Sequence, residues 1–364
     1  MNQPVKVRFD KTFLDFAKEK GAKIGYSQLC DTSTYLEKPI ESWGLELPEN
    51  PTSEMIKYGL TLAHNNLQRQ SVIQVIGGAL HFDAMQIPDL DQIEAMLEHY
   101  PENAWVRSAI EIFQAASAKK ATIITSGTQC GIMALISCLY LVSRKVHQEI
   151  ESSISKFVNF LSRPSQIADL LLPPQLIHVI PAELTIFPKN QWEIAWDKNP
   201  ELLAPCTGFV VVPGINQWGD DGGLIEETQW WASYIPTLER ITAIFSQDRD
   251  EVDRTTVLFN GGLLTLAEAY SALLNNSKII VVEGSGRLAD LLAYLGKVDW
   301  DVKKIDPDLV EEPKLKSDLG KNQYLLLLER FSALAKKKER LIHTTALGSL
   351  GLSNLIEMTL SKNN

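Results

Sequence analysis

From residue 71 the chain alternates between two periodicities. Short runs of β-branched and other apolar residues close in glycine or proline, and longer segments with apolar residues at helical spacing follow them. The runs are Val72–Ile76, closed by Gly77-Gly78; Ala121–Thr125, closed by Ser126-Gly127-Thr128; and Leu176–Ile180, followed by Pro181. Three more are Gly208–Val212, closed by Pro213-Gly214; Thr255–Phe259, closed by Asn260-Gly261-Gly262; and Lys278–Val282, closed by Glu283-Gly284-Ser285-Gly286. Helical spacing covers 89–99, 103–118, 131–160, 225–246, 264–275 and 286–296. Stretches such as FVVV and KIIVV are apolar at consecutive positions, as strands buried on both faces are. The alternation predicts a Rossmann-like α/β fold, a mostly parallel sheet with helices on both faces. In such sheets ligands bind beyond the carboxyl ends of the strands, where this chain concentrates its glycines.

The flanks read differently. Residues 1–70 are broken by Pro39, Pro48 and Pro51 and hold helix candidates at Thr12–Lys20 and Ser53–Leu67; they are read as an N-terminal extension. Residues 71–300 form the Rossmann-like domain. The rest is read as a charged, proline-broken linker over 301–320 and a helical C-terminal tail from Lys321.

Composition narrows the function. With 364 residues the chain can bury a large core, and its net charge of −10 lacks the basic footprint that nucleic-acid binding needs. A small anion is still compatible, since one arginine and a few backbone N–H groups can hold a phosphate. Cys30, Cys130, Cys138 and Cys206 form no C-x-x-C pair, so zinc and disulfide-exchange chemistry have no support. No signal-peptide pattern opens the sequence, and its most apolar stretch, Gly131–Val142, is too short for a bilayer. The expectation is a cytoplasmic protein without a transmembrane segment.

The chemistry lies in the turns. In IIVVEGSGRLADLLA a buried strand meets a Gly-Ser-Gly turn and a helix begins at once. Glycine there admits a ligand close to the backbone, and the first helical turn favours an anion. Arg287 opposes the dipole in that turn, which a bound phosphate or carboxylate would explain; Asp290 can orient Arg287 or meet a ribose hydroxyl. A plain strand-to-helix turn with a surface arginine fits the same spacing. In TIITSGTQCGIM, Ser126 and Thr128 can offer hydroxyls to a phosphate and Gly131 permits close approach, although a structural turn fits equally well. IQVIGGALHF places Gly77, Gly78 and His81 at another strand end, and a lone histidine is more often packed than ligating. In VVPGINQWGDDGGLIEE, Gly214 closes a strand, and Glu226 and Glu227 suit the start of a helix; one of them could instead meet a ribose or act as an acid or base. Asn260-Gly261-Gly262 by itself says turn. Trp230 and Tyr234 share i, i+4 spacing, which suits packing better than base stacking. No metalloprotease pair, serine-hydrolase elbow or histidine cluster is present.

Taken in order, IQVIGGA, KKATIITSGTQCGIM, GFVVVPGINQWG, TTVLFNGGLLTLAEAY and KIIVVEGSGRLADLLAY resemble the N-terminal ligand-sensing (LSDAT) region of TRPM-family cation channels. More broadly they resemble the SLOG superfamily, which includes LOG and DprA-like proteins. The likeness spans roughly 71–296 and points to a prokaryotic relative of the sensor. It implies a site for ADP-ribose or another NAD-derived or cyclic nucleotide, with the family's phosphate-binding arginine at Arg287 and its glycine turns at Gly77-Gly78, Ser126-Gly127-Thr128 and Gly284-Ser285-Gly286. Gly131, Gly214, Gly261, Gly262, Glu283 and Asp290 complete the candidate ligand-binding set. The resemblance also implies a role in bacterial defence or signalling, beside a signal-producing enzyme or an effector protein; self-association is left open. No cofactor or metal is expected. The run PGINQWGDDGGLIEE is similar to the P-G-G-x-G-T-x-x-E loop of LOG-type nucleotide phosphoribohydrolases, with an insertion that separates the glycines from the glutamate. That favours a non-catalytic sensor, leaving an N-glycosidase using Glu227 as the alternative.

Overall fold

The computed structural model describes residues 5–6, 23–27, 42–47, 51–63, 71–77, 103–126, 131–157, 174–181, 193–194, 206–212, 224–246, 253–305 and 318–361. All six predicted strands form. They are β4 (Val72–Gly77), β5 (Thr122–Thr125), β6 (Leu176–Pro181), β8 (Gly208–Val212), β9 (Arg254–Phe259) and β10 (Lys278–Glu283). Three further strands join them: β2 (Lys23–Ser27), β3 (Ser42–Glu46) and β11 (Ile342–Ala346). The order is β11-β10-β9-β4-β5-β6-β8-β3-β2, and every pairing is parallel except that of the edge strand β2 with β3. A separate antiparallel pair joins β1 (Val5–Lys6) to β7 (Glu193–Ile194).

Eight helices are present among the described residues: α1 (Ser53–Ala63), α2 (Ala104–Lys119), α3 (Gly131–Phe157), α4 (Leu224–Phe245), α5 (Leu263–Leu274), α6 (Arg287–Lys297), α7 (Asp318–Lys337) and α8 (Leu352–Leu360). The predicted helices at 12–20 and 89–99 lie outside the described residues. Alternation along each strand divides the core. Ile73, Val75, Ile123, Val257, Ile280 and Val282 pack with α2, α3 and α8 on one face. On the other face Val72, Ile124, Val179 and Val210 meet α1 and α4, while Leu258, Ile279 and Val281 meet α5, α6 and α7.

Both flanks belong to the sheet. Strand β3 pairs with β8, so part of the N-terminal extension completes one side. At the other side the tail is not wholly helical: α7 stops at Lys337, and Ile342–Ala346 pairs with β10 from Ile279↔Ile342 to Glu283↔Ala346. Helix α8 then packs on the first face through Leu352, Ile356 and Leu360. The KKKER run masked this break, because a basic segment reads as helical surface whether or not it turns. The expected linker contains a 3-10 turn at Val302–Lys304; its stretch from 306 to 317 lies outside the described residues.

Chain direction reverses once within the sheet. From β4 the strands proceed outward through β5, β6 and β8, and β9 then returns to the opposite side of β4. Such a topological switch opens a crevice at the carboxyl ends of the two central strands. Here those strands are β4 and β9, which end at Gly77 and Phe259.

Candidate ligand site at the strand ends

Gly77 sits opposite Phe259, and a Cβ on it would lie 2.7 Å from the Phe259 carbonyl oxygen. Glycine at this position therefore lets β4 and β9 stay paired up to the crevice. Next along the edge are the turns after β9 and β10. They hold a run of left-handed backbone: Asn260 (φ 45°), Gly261 (φ 102°), Gly284 (φ 86°), Gly286 (φ 99°) and Arg287 (φ 44°). Asparagine tolerates this region, but for arginine it costs about 1–2 kcal/mol. Strain of this kind persists only where the surroundings impose it, and it gathers at functional sites.

The two turns are clasped together. Buried Ser285 uses its hydroxyl to donate to Val282 O (2.6 Å) and to accept Asn260 N–H (2.8 Å). Helix α6 caps its own first turn on the neighbouring one: Ala289 N–H donates to Asn260 O (3.1 Å) and Leu288 N–H to Gly261 O (3.4 Å). Asp290 accepts the Gly284 N–H at 2.6 Å. These bonds give the local partners of three groups singled out from the sequence. Ser285 is a clip between turns, Asp290 braces Gly284, and two N–H groups of the α6 first turn already have carbonyl partners. Arg287 follows this braced turn and is half-buried. Glu283 instead pairs with Lys297 on the surface, and an ion pair this exposed contributes little.

The other candidates divide by position. Ser126 follows β5 at the same edge, half-buried, and Gly131 opens α3. Gly262 precedes α5 as its N-cap. Gly78, Gly127, Thr128, His81 and Gly214 lie outside the described residues, as does the side chain of Glu227, whose backbone is in the first turn of α4. Tyr234 is core, as its spacing suggested: it is 1 % exposed and its hydroxyl donates to Val179 O (3.2 Å). Cys138 and Cys206 are buried thiols.

Sequence reasoning overlooked several neighbours. Trp105, in the first turn of α2, packs at a tilt on the buried Phe259, with ring centroids 5.8 Å apart. Asn103 caps that helix by accepting the N–H groups of Trp105 (3.0 Å) and Val106 (3.2 Å). Arg107 stands one turn further, against Gly348 after β11. Beneath the edge, His178 is fully buried between the hydroxyls of Thr125 (2.8 Å, to Nδ1) and Ser137 (3.4 Å, to Nε2). A polar residue inside the strand LIHVIP was the available signal for His178; Arg107 had none, since it sits in an ordinary amphipathic helix. Among the described residues no three His, Cys, Asp or Glu side chains gather to hold a metal, and no helix is long and apolar enough to cross a membrane.

Residues 158–325 match the family model described as SLOG in TRPM, prokaryote. The chain carries a SLOG domain. The match runs from the segment after α3 into α7 and includes the turns after β9 and β10. Strands β4 and β5 precede it, yet they lie at the centre of the same sheet. No curated protein matches the chain. A SLOG domain is consistent with ligand binding and sensing.

Proposed function

We propose that this SLOG protein is a nucleotide sensor that holds ADP-ribose, or a related NAD-derived or cyclic nucleotide, at the carboxyl ends of β4, β9 and β10. The observation that carries the reading is the strained, clasped turn at Gly284–Arg287 beside the β4/β9 switch point. An arginine in left-handed backbone at a helix start gains nothing for the helix, and a phosphate would give it paired charge-assisted hydrogen bonds. Half-buried Trp105, which lies over the buried Phe259, supplies apolar surface nearby for a base or ribose. Binding without turnover is the reading that the interrupted glycine–glutamate run favours. The signal would be read by an effector protein or made by a partner enzyme.

The test is calorimetric titration with ADP-ribose, its cyclic isomers, NAD, AMP and cyclic dinucleotides. Arg287→Ala is expected to weaken the ligand that binds by about 2–4 kcal/mol, roughly 30- to 1,000-fold, with an unchanged melting temperature. Equal affinities in the two proteins would remove Arg287 from the site. Release of free adenine or nicotinamide, abolished by Glu227→Gln, would replace the sensor with an N-glycosidase.

A further inference from the structure

We propose that Arg107 is a second anion-binding arginine of this site and that the ligand carries two phosphates, one for each arginine. The proposal rests on the nucleotide reading above and extends it to a residue outside the glycine turns.

Position is the first argument. Leu347 N–H donates to Glu283 O (2.8 Å), which carries the chain after β11 across the end of β10. A Cβ on Gly284 would lie 3.7 Å from the Leu347 Cβ. The following residue, Gly348, turns with φ 73° and gives its N–H to Ser108 Oγ (2.9 Å). A Cβ there would stand 2.7 Å from the Ala104 Cβ and 3.1 Å from Arg107 Nη2, so glycine is what allows this turn to meet the start of α2. Arg107 thus reaches the carboxyl end of β10 and β11 from the face that carries α2. Arg287 reaches the end of β10 at the start of α6, which packs on the opposite face. Two cations on opposite sides of one strand end suit charge at two separated points better than a single phosphate.

The state of the guanidinium is the second argument. Arg107 forms no ion pair and donates no side-chain hydrogen bond among the described residues, although its Nε is shielded from solvent. That one N–H is shielded without an acceptor, which is unfavourable, while the rest of the half-buried side chain makes no ion pair among the described residues. The expected helix partner is spoken for. Glu111, at i+4, is buried and accepts the Ser353 N–H at 2.9 Å at the start of α8. Buried Arg254 shows the contrast at its Nη2, which pairs with Glu239 and reaches the Asn275 carbonyl, although its Nε also has no partner.

The experiment titrates wild type, Arg107→Ala, Arg107→Lys and Arg287→Ala with ADP-ribose, AMP and inorganic pyrophosphate at fixed salt. Arg107→Ala should weaken ADP-ribose roughly 30-fold or more and AMP less than about threefold, whereas Arg287→Ala should weaken both. Arg107→Lys should recover part of the loss, because ammonium keeps the charge without the planar fork. It also serves as the reading variant if the alanine protein fails to fold, with the same selective loss expected for ADP-ribose. Arg107 variants that bind ADP-ribose like wild type, or that weaken AMP equally, overturn the proposal and leave the nucleotide reading intact. Arg107-dependent binding of pyrophosphate without any nucleotide binding overturns the nucleotide reading and keeps the two-arginine site. Failure of wild type to bind either class overturns both.

Discussion

Between α4, α5 and the sheet, mostly buried polar side chains are tied to one another, with the exposed Asn275 at their rim. Arg254 pairs with Glu239 at 2.9 Å, Asn275 donates to the same carboxylate at 3.2 Å, and Thr256 links Gln74 to Ser277. At the carboxyl ends of β9 and β10 the polar groups are as carefully placed, yet they serve a different end. Ser285 and Asp290 satisfy backbone groups and brace turns held in left-handed conformations, while Arg107 stays without an ion-pair partner among the described residues. The interior belt pairs Arg254 with Glu239 inside the protein, although Glu239 Oε1 and Arg254 Nε have no hydrogen-bond partner, and so it ties α4 to the sheet. The edge completes its backbone and leaves the Arg107 guanidinium to meet something else. Strained backbone and an unpaired cation together mark a site; a buried ion pair alone does not.

The largest expected effect breaks the interior side of this contrast. Arg254→Ala leaves the Glu239 carboxylate buried without its cation, and urea unfolding should show a loss of about 3–5 kcal/mol. Ligand affinity of the protein that remains folded should not change. A loss below about 1 kcal/mol would show the belt to be dispensable.

A smaller effect sharpens the edge side. Gly261→Ala meets both a left-handed φ and the Thr265 Cβ at 2.7 Å, whereas Gly284→Ala meets only the φ, with Leu347 Cβ at 3.7 Å. The first should cost about 2–3 kcal/mol and the second about 1 kcal/mol in thermal unfolding. Equal costs would mean that the turn after β9 yields as readily as that after β10.

A pH dependence of the interior tests the same contrast. Burial, and then the charge of Glu239, pushes Glu268 up from 4.5 to about 8. Burial also raises Glu239, against the pull of Arg254. The folded protein therefore holds the Glu268 proton more tightly than the unfolded chain does. That contribution to stability is complete below pH 4.5 and is lost as pH rises to about 8. Glu268→Gln should flatten the fall in urea-unfolding free energy across that window. An unchanged slope would mean that Glu268 is ionised in the folded state.

Much of the fold was legible because its strands advertise themselves. FVVV and KIIVV are apolar without alternation, and a strand covered on both faces permits little else. Their glycine endings were legible for the same reason, since left-handed turns select glycine and asparagine. Strand β11 was not, because IHTTA lies at the edge of the sheet, partly exposed along its whole length, and lacks that apolar run. Nor was its pairing with β10, which only a contact across the length of α6 and α7 creates.

What the sequence determined by itself is the order of the six central strands, their glycine-rich ends and the placement of Arg287 directly after one of them. Each follows from local chemistry: periodicity, backbone freedom and neighbours in the chain. Tertiary structure decided which of the polar residues there remain available. Ser285 and Asp290 read as ligands in sequence, and folding also gives them Asn260 and Gly284 as partners. Arg107 reads as helix surface, and folding brings it under Gly348, 241 residues away in the chain, with Glu111 turned elsewhere. A hydrogen-bonding group can be spent on the protein or kept for a ligand, and only its neighbours in space determine which.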